Sequence, residues 1–115
     1  MKLLMVEDNE RFAEVVIERF LFEHDVTLMT TVAEAIGLRV RGFDGALVDY
    51  DLPDGKGDAV VRSLRANASQ LVIIAISSHA QGNAALCSAG ADAACPKSVF
   101  DQIAAVIHAT SQARA

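Results

Sequence analysis

Short apolar runs alternate along this chain with longer segments whose apolar residues recur at helical spacing. The apolar runs predict five strands, over residues 2–6, 26–30, 45–48, 71–76 and 93–95. The segments between and after them predict five helices, over residues 10–23, 33–41, 57–66, 82–89 and 99–111. The fourth run, LVIIAI, is the most apolar in the chain, so we expect it to form a central strand covered on both faces.

Polar residues and glycines mark the ends of several of these elements. Asn9 is suited to cap the first helix. Thr31 is suited to cap the second, with Glu34 in the capping-box position, and Gly42 is expected to end that helix. The Pro-Asp-Gly sequence at 53–55 predicts a turn.

Strands and helices alternate five times, and this alternation predicts an α/β fold. We expect a three-layer sandwich, in which a parallel five-stranded sheet carries helices on both faces and the crossovers are right-handed. No internal repeat, low-complexity segment or linker interrupts the 115 residues. A chain of this length can build one hydrophobic core, so residues 1–115 are predicted to be a single domain with no output domain.

Composition and charge narrow the classes of function. The chain is 52% hydrophobic and 22% charged, which is typical of a folded globular protein. Its formal net charge of −5 argues against a nucleic-acid-binding surface. Residues 1–58 contain 13 acids and 6 bases, whereas residues 59–115 contain 2 acids and 4 bases. The second half is therefore poor in charge, as a protein-docking surface would be.

Nothing in the sequence indicates a membrane segment or an oxidising compartment. The N-terminal apolar run meets Glu7 too soon to be the core of a signal peptide, and no later run approaches membrane-spanning length. Cys87 and Cys95 lack metal-ligand spacing, and we interpret both as reduced thiols that fill the core. These features predict a cytoplasmic protein with no membrane partner.

Chemically active side chains follow four of the five predicted strands. Glu7 and Asp8 follow the first strand, Asp49 the third, Ser77 the fourth and Lys97 the fifth. The carboxyl ends of the strands face the ligand crevice in an open α/β sheet, so these side chains should meet there. Three close carboxylates repel one another unless a cation lies between them, and Mg²⁺ suits such a site. A magnesium site of this kind favours a phosphoryl group, which Asp49 could accept as the nucleophile.

Four motifs, in this order and spacing, carry a resemblance over essentially the whole chain. They are LLMVEDN, DGALVDYDLPDGKG, VIIAISS and GADAACPK. Together they resemble the receiver domains of bacterial two-component response regulators. The resemblance implies a flavodoxin-like (βα)5 fold with sheet order 2-1-3-4-5.

The resemblance also implies how the phosphoryl group is handled. Asp49 would be the phosphoacceptor, Ser77 the switch hydroxyl and Lys97 the residue that contacts the phosphate. The donor would be a phosphohistidine of a sensor histidine kinase or of a His-phosphotransfer protein. Such a chain catalyses only phosphoryl transfer to, and hydrolysis from, its own aspartate, so we do not expect a conventional enzyme.

The resemblance further implies a metal site with four ligands from the chain. The Mg²⁺ ligands would be Glu7, Asp8, Asp49 and the main-chain carbonyl of Asp51.

This chain departs from the family at several positions that concern signal transmission. Ala94 stands where the family usually has the Tyr or Phe that rotates on phosphorylation, and Ser98 stands where it usually has a proline after a cis bond. The segment from residue 77 to 90 is also shorter than we expect. Without a ring to rotate, the signal is expected to travel by backbone movement of the loop over residues 77–83, at Gly82.

The charge-poor second half of the chain is the predicted output face. It comprises residues 82–89, 93–95 and 99–111, and we expect it to bind a downstream protein or a second copy of the domain. The alternative interpretation is that its alanines are small packing residues under a tight crossover.

Two other functions fit parts of the sequence. The DYD sequence at 49–51 resembles the nucleophile motif of haloacid-dehalogenase-type phosphatases, which also use Mg²⁺. Those enzymes usually place this motif near the N-terminus and the acidic pair late, the reverse of the order here. A pseudo-receiver that binds partners without phosphorylation is the other alternative, favoured by Ala94 and disfavoured by the complete set of site residues.

Several site residues also have simpler interpretations. Glu7 and Asp8 could cap the first helix, Asp54 is best explained as a turn-forming residue, and Lys97 taken alone would be a solvated surface residue. His79 is placed for a general base but is not assigned that role. His24 and His108 are predicted to lie at the surface.

Overall fold

The computed structural model describes residues 1–37 and 41–114. Its five main strands are β1 (Lys2–Val6), β2 (Asp25–Met29), β3 (Gly45–Val48), β4 (Val72–Ala75) and β5 (Ala93–Ala94). Its helices are α1 (Glu10–Phe20), α2 (Val32–Gly37), α3 (Gly57–Asn67), α4 (Ala80–Ala89) and α5 (Ile103–Arg114), with a 3₁₀ segment at Lys97–Gln102. A small antiparallel hairpin, Asp51–Leu52 with Gly55–Lys56, lies between β3 and α3; we call residues 51–56 the 51–56 hairpin.

The five main strands form one sheet in the order β2-β1-β3-β4-β5, with every neighbouring pair parallel. This order confirms the predicted flavodoxin-like α/β fold. The last residue of β1, Val6, pairs with Val48 of β3, which in turn pairs with Ala75 of β4. The three strands therefore end level with one another, and the residues that follow them start from the same edge of the sheet.

The sheet is buried on both faces because its side chains alternate between two apolar clusters. Met5, Leu47 and Ile74 face the side covered by α1 and α5. The residues next to them along each strand, such as Val6 and Val48, face the other side of the sheet, which is covered by α2, α3 and α4. All six residues of the LVIIAI run are buried, as predicted for a central strand. Burial of each large aliphatic side chain contributes roughly 1.5–3 kcal/mol, so this arrangement holds the edge of the sheet rigid.

The capping predictions for α1 and α2 are confirmed, and α2 has an additional cap. Asn9 Oδ1 accepts a hydrogen bond from the Phe12 amide at 3.0 Å. Thr31 Oγ1 accepts one from the Glu34 amide at 3.1 Å. The Asp54 carboxylate also accepts hydrogen bonds from the first two amides of α2, at 2.8 and 3.0 Å. The turn-forming residue of the 51–56 hairpin therefore also caps a helix that lies 21 residues earlier in the chain.

The end of α1 and the start of the last helix differ from their predicted positions. Helix α1 ends at Phe20 rather than at residue 23, because Leu21 is buried as its C-cap and the chain must turn so that Asp25 can pair with Lys2. The last helix begins at Ile103 rather than at residue 99, after the 3₁₀ segment. Of the second helix predicted over residues 33–41, residues 38–40 lie outside the described residues, and Arg41 lies in a turn rather than in a helix.

Helix α4 begins at Ala80, two residues before the predicted start. Its N-cap is His79, whose Nδ1 accepts a hydrogen bond from the Gly82 amide at 3.0 Å. Histidine is not among the preferred N-cap residues, so the sequence pattern did not reveal this start. The predicted loop over residues 77–83 is therefore wrong, because its second half belongs to α4.

The predicted burial of Cys87 and the predicted exposure of His24 also need correction. Cys95 is buried as predicted, but Cys87 is exposed on α4 and does not fill the core. His108 is exposed, whereas His24 is half-buried, with its Nδ1 3.2 Å from the N-terminal amine. No helix in the described parts of the chain is both long enough and apolar enough to cross a membrane.

Candidate functional site

Three carboxylates meet at the carboxyl edge of the sheet. Oxygens of Glu7, Asp8 and Asp49 lie within 4.8 Å of one another. The main chain brings them there, because the sheet ladder continues beyond the strands: the Glu7 amide donates to Met29 and the Asp49 amide donates to Val6. The predicted acidic cluster is therefore present, with Asp8 exposed and the other two buried.

Lys97 lies against two of these carboxylates. Its Nζ is 2.7 Å from Glu7 Oε2 and 3.0 Å from Asp49 Oδ2. The ammonium also lies over the Phe12 ring, 4.8 Å from its centroid, and that ring stacks on Phe100. Two ion pairs and a cation–π contact therefore hold the ammonium in place, and Lys97 is not the solvated surface residue it could have been.

The electrostatics of the site centre on Glu7, which is fully buried. Its Oε1 accepts a hydrogen bond from the Asn9 amide at 3.0 Å, while Lys97 Nζ is the charged neighbour of Oε2. Burial raises the pKa of the Glu7 carboxyl to about 7, although contacts with Lys97 and the Asn9 amide act in the opposite direction. For Lys97, burial acts to lower the pKa, but its contacts with the Glu7 and Asp49 carboxylates outweigh that effect and the pKa is raised.

The donor set fits a hard divalent cation. All three acidic residues present oxygen atoms, and buried Glu7 Oε2 has no hydrogen bond of good geometry among the described residues. Like charges this close repel one another, and the single ammonium of Lys97 leaves an excess of negative charge when the acids are ionised. Glu7, Asp8 and Asp49 could therefore hold Mg²⁺.

Asp49 is held from two sides and lies directly beneath the start of α3. Its Oδ1 accepts a hydrogen bond from the Tyr50 amide at 2.8 Å, and its Oδ2 accepts one from Lys97. Gly57, the first residue of α3, packs on the Asp49 main chain: a Cβ there would lie 2.9 Å from the Asp49 carbonyl carbon and closer still to the carbonyl oxygen. Sequence reasoning missed this role of Gly57, although a glycine two residues after the Pro-Asp-Gly turn was a signal of close backbone approach.

The Asp51 side chain is not part of the cluster of three carboxylates and contacts other residues. Its two oxygens lie 2.6 Å from Lys56 Nζ and 2.9 Å from His79 Nε2. Because His79 Nδ1 accepts a hydrogen bond from the Gly82 amide, a hydrogen must lie on Nε2, which donates a hydrogen bond to the Asp51 carboxylate. Both ring nitrogens are engaged, so the structure offers no free imidazole base here. The main-chain carbonyl of Asp51 remains a predicted metal ligand.

Ser77 lies buried at the same edge, and Asn83 of α4 holds its main chain. The Ser77 amide donates to Asn83 Oδ1 at 2.8 Å, and Asn83 Nδ2 donates to the Ser77 carbonyl at 3.1 Å. The Ser77 carbonyl also accepts from the Lys97 amide at 3.4 Å, which links the fourth and fifth strand ends. Sequence reasoning missed Asn83 because its burial depends on where α4 begins.

The positions that depart from the family lie near this edge. Ala94 and Ser98 are both exposed. No peptide bond is cis in the described parts of the chain, so the bond before Ser98 is trans.

The chain was compared with known proteins by sequence and by structure. No protein-family model matches it, and no curated protein matches it by sequence. Solved structures do match. The Francisella response regulator 1452 receiver domain is 18% identical, with a TM-score of 0.82 over 99% of this chain and 98% of that one. The non-phosphorylated HemR receiver domain from Leptospira biflexa is 26% identical, with a TM-score of 0.76 over 92% and 93%.

A third similar structure contains a metal. It is the receiver domain of the sensor histidine kinase PA1611 from Pseudomonas aeruginosa, described with a magnesium ion coordinated in its active-site cleft. It is 26% identical, with a TM-score of 0.81 over 96% of this chain and 97% of that one. These three structures each cover more than nine tenths of the chain, and they confirm the receiver-domain fold that the sequence motifs predicted.

Proposed function

We propose that this chain is a phosphoacceptor module in a two-component signalling system. Its Asp49 would accept a phosphoryl group from a phosphohistidine of a sensor histidine kinase or His-phosphotransfer protein. The observation that carries the proposal is the arrangement around Asp49: two acidic neighbours within 4.8 Å and the Lys97 ammonium at 3.0 Å. The receiver domain of a sensor kinase among the structural neighbours supports a kinase or phosphorelay partner.

In the proposed reaction one Asp49 oxygen attacks the phosphorus atom of the phosphohistidine. The O–P bond forms as the P–N bond breaks, the imidazole leaves with its electron pair, and solvent protonates it. Lys97 stabilises charge on a phosphoryl oxygen, and the Ser77 hydroxyl donates a hydrogen bond to another. Glu7, Asp8, Asp49 and the Asp51 main-chain carbonyl would hold Mg²⁺, which when bound supplies further charge stabilisation for the phosphoryl oxygens.

The proposal extends to the location and output of the molecule. Residues 1–115 would act as one receiver domain in the cytoplasm. The output face over residues 82–89, 93–95 and 99–111 would bind a downstream protein or a second copy. The exposed, uncharged residues of α4 within this face support the role: they are Ala84, Cys87 and Ser88.

Intact-mass measurement after incubation with acetyl phosphate and Mg²⁺ tests the proposal. We expect one added phosphoryl group per chain. A pseudo-receiver would gain none, and a phosphatase of the haloacid-dehalogenase type would instead release phosphate steadily from p-nitrophenyl phosphate. The structure disfavours the phosphatase, because the second aspartate of the 49–51 motif is engaged by Lys56 and His79.

Magnesium should stabilise the folded protein. Because Mg²⁺ relieves the repulsion among the three carboxylates only when they are brought together by folding, it binds the folded state preferentially. At ten times the dissociation constant this binding adds about 1.4 kcal/mol, which raises the melting temperature by roughly 5 °C. Asp8→Ala should remove the increase, whereas Glu14→Ala, which removes an exposed acid outside the cluster, should preserve it. If adding Mg²⁺ left the melting temperature of the wild-type chain unchanged, the metal assignment would be wrong.

The increase in melting temperature caused by Mg²⁺ should depend on pH. The pKa of Glu7 is raised from 4.5 to about 7 by burial, so folding favours the protonated carboxyl between these values. Without metal, this group's contribution to the free energy of unfolding therefore falls as the pH rises through that window. Metal needs the ionised carboxylate, so the increase in melting temperature at a fixed Mg²⁺ concentration should be smaller at pH 6 than at pH 8. Equal increases at both pH values would show that Glu7 does not take part.

A further inference from the structure

The buried amide of Asn83 is a polar group that the proposed reaction does not use. Its side chain is 6% exposed, and it forms both of its hydrogen bonds with the main chain of one residue, Ser77. The carboxamide thus pairs with the Ser77 amide and carbonyl, much as a neighbouring strand would. A buried amide satisfied in this way holds its partner in one position and orientation.

The first turn of α4 is packed directly on Ser77 as well. A Cβ at Gly82 would lie 2.9 Å from His79 Cε1 and even closer to Ser77 Oγ. Gly82 lies inside α4 and does not have a positive φ, so it is a close-packing residue rather than the loop hinge that the sequence predicted. Only Ser78 and His79 connect Ser77 to the helix, which leaves little length in which movement of Ser77 could be absorbed.

The rest of α4 is lightly held. The helix buries Gly82, Asn83 and Leu86, and two of these three are the residues that contact or pack on Ser77. A helix with one large apolar side chain in the core can shift at less cost than one that buries a full apolar face. Ala94 has no side-chain torsion through which the signal could pass to the neighbouring strand.

We propose that Asn83 is the positioning residue that couples the site to α4. Movement of Ser77 towards a phosphoryl group on Asp49 carries Asn83 with it, so α4 shifts as a rigid unit and changes the surface that it exposes. This inference rests on the proposed function, because it requires a group on Asp49 that attracts the Ser77 hydroxyl. The signal would therefore travel by displacement of the whole α4 helix, rather than by the backbone rearrangement at Gly82 that the sequence predicted.

Amide chemical shifts, measured with and without beryllofluoride and Mg²⁺, test the coupling. In the wild-type chain we expect shifts at Asp49 and Ser77 and also along residues 84–89. Asn83→Asp keeps the side-chain shape, but an oxygen replaces Nδ2, which donates to the Ser77 carbonyl, so an acceptor faces an acceptor. Asn83→Ala removes the carboxamide without adding charge. In both variants the chemical-shift change at Asp49 should persist, and the changes along residues 84–89 should be several-fold smaller than in the wild type. Gln81→Glu makes the same charge change at an exposed position of the same turn and should behave as wild type.

A second measurement uses the wild-type chain alone. If Ser77 and α4 move together, the Asn83 side-chain Nδ2 protons stay protected from solvent exchange in the activated state. Loss of that protection, or shifts at Asp49 and Ser77 with residues 84–89 unmoved, would overturn the inference and leave the proposed function standing. Unchanged coupling in both Asn83 variants would also overturn it. No response at Asp49 in the wild-type chain would overturn the proposed function itself, and the inference with it.

Discussion

A chain with Asp49→Asn should gain no phosphoryl group from acetyl phosphate and Mg²⁺, while the wild-type chain gains one. The carboxamide is nearly isosteric, and its oxygen can still accept the Tyr50 amide, so the fold around it should persist. It lacks the anionic oxygen that must attack phosphorus, and its nitrogen faces Lys97 Nζ in place of Oδ2. Uptake should therefore fall below detection in an intact-mass measurement.

The matched control is Asp101→Asn, which neutralises an exposed acid away from the cluster. This variant should take up phosphate like the wild-type chain. If Asp49→Asn still gained a phosphoryl group, another residue would be the acceptor and the central assignment would be wrong. If neither the wild-type chain nor the control gained one, the pseudo-receiver interpretation would be correct.

Gly57→Ala should cause the largest loss of stability among the substitutions considered. The added methyl group would meet the main chain of Asp49, and a backbone carbonyl cannot rotate away as a side chain can. Either α3 must move off the sheet or the end of β3 must bend. We expect a loss of about 3 kcal/mol in the free energy of unfolding, seen as a fall of roughly 15 °C in melting temperature.

Gly37→Ala provides the comparison, because a Cβ at that glycine of α2 meets nothing within 4 Å among the residues that the structure describes. Alanine favours the helical conformation more than glycine, so this variant should be unchanged or slightly more stable. If the Gly57→Ala protein had the same melting temperature as the wild type, α3 would lie farther from the Asp49 main chain than the structure places it. In folded Gly57→Ala protein we also expect slower phosphate uptake, since the Asp49 carboxylate would be displaced.

The positions of the acidic residues could be predicted because they depend on a local pattern. An apolar run that ends on an acid places that acid at the carboxyl edge of a parallel sheet, whatever the details of packing. Glu7 and Asp49 follow this rule, and Lys97 follows it through the fifth strand. Their proximity therefore required only the strand order, which the motif resemblance supplied.

Features that depend on two distant parts of the chain could not be predicted in this way. The Asp54 carboxylate caps a helix that precedes it by more than 20 residues, and the turn signal around it gave no indication of that partner. His79 as an N-cap is an unusual choice of residue, and once the start of α4 was misplaced the burial of Asn83 could not be seen. Side-chain-to-main-chain contacts of this kind are set by tertiary packing rather than by periodicity.

The 51–56 hairpin joins three helix starts. Asp54 caps α2, the hairpin leads directly into α3 at Gly57, and Asp51 contacts the N-cap of α4. Exposed loops usually tolerate insertions, and most of this hairpin is exposed. One extra residue here would nevertheless change the spacing between three helices at once. Solvent exposure is therefore a poor guide to sites for epitope tags, reporter fusions or circular permutation in this domain.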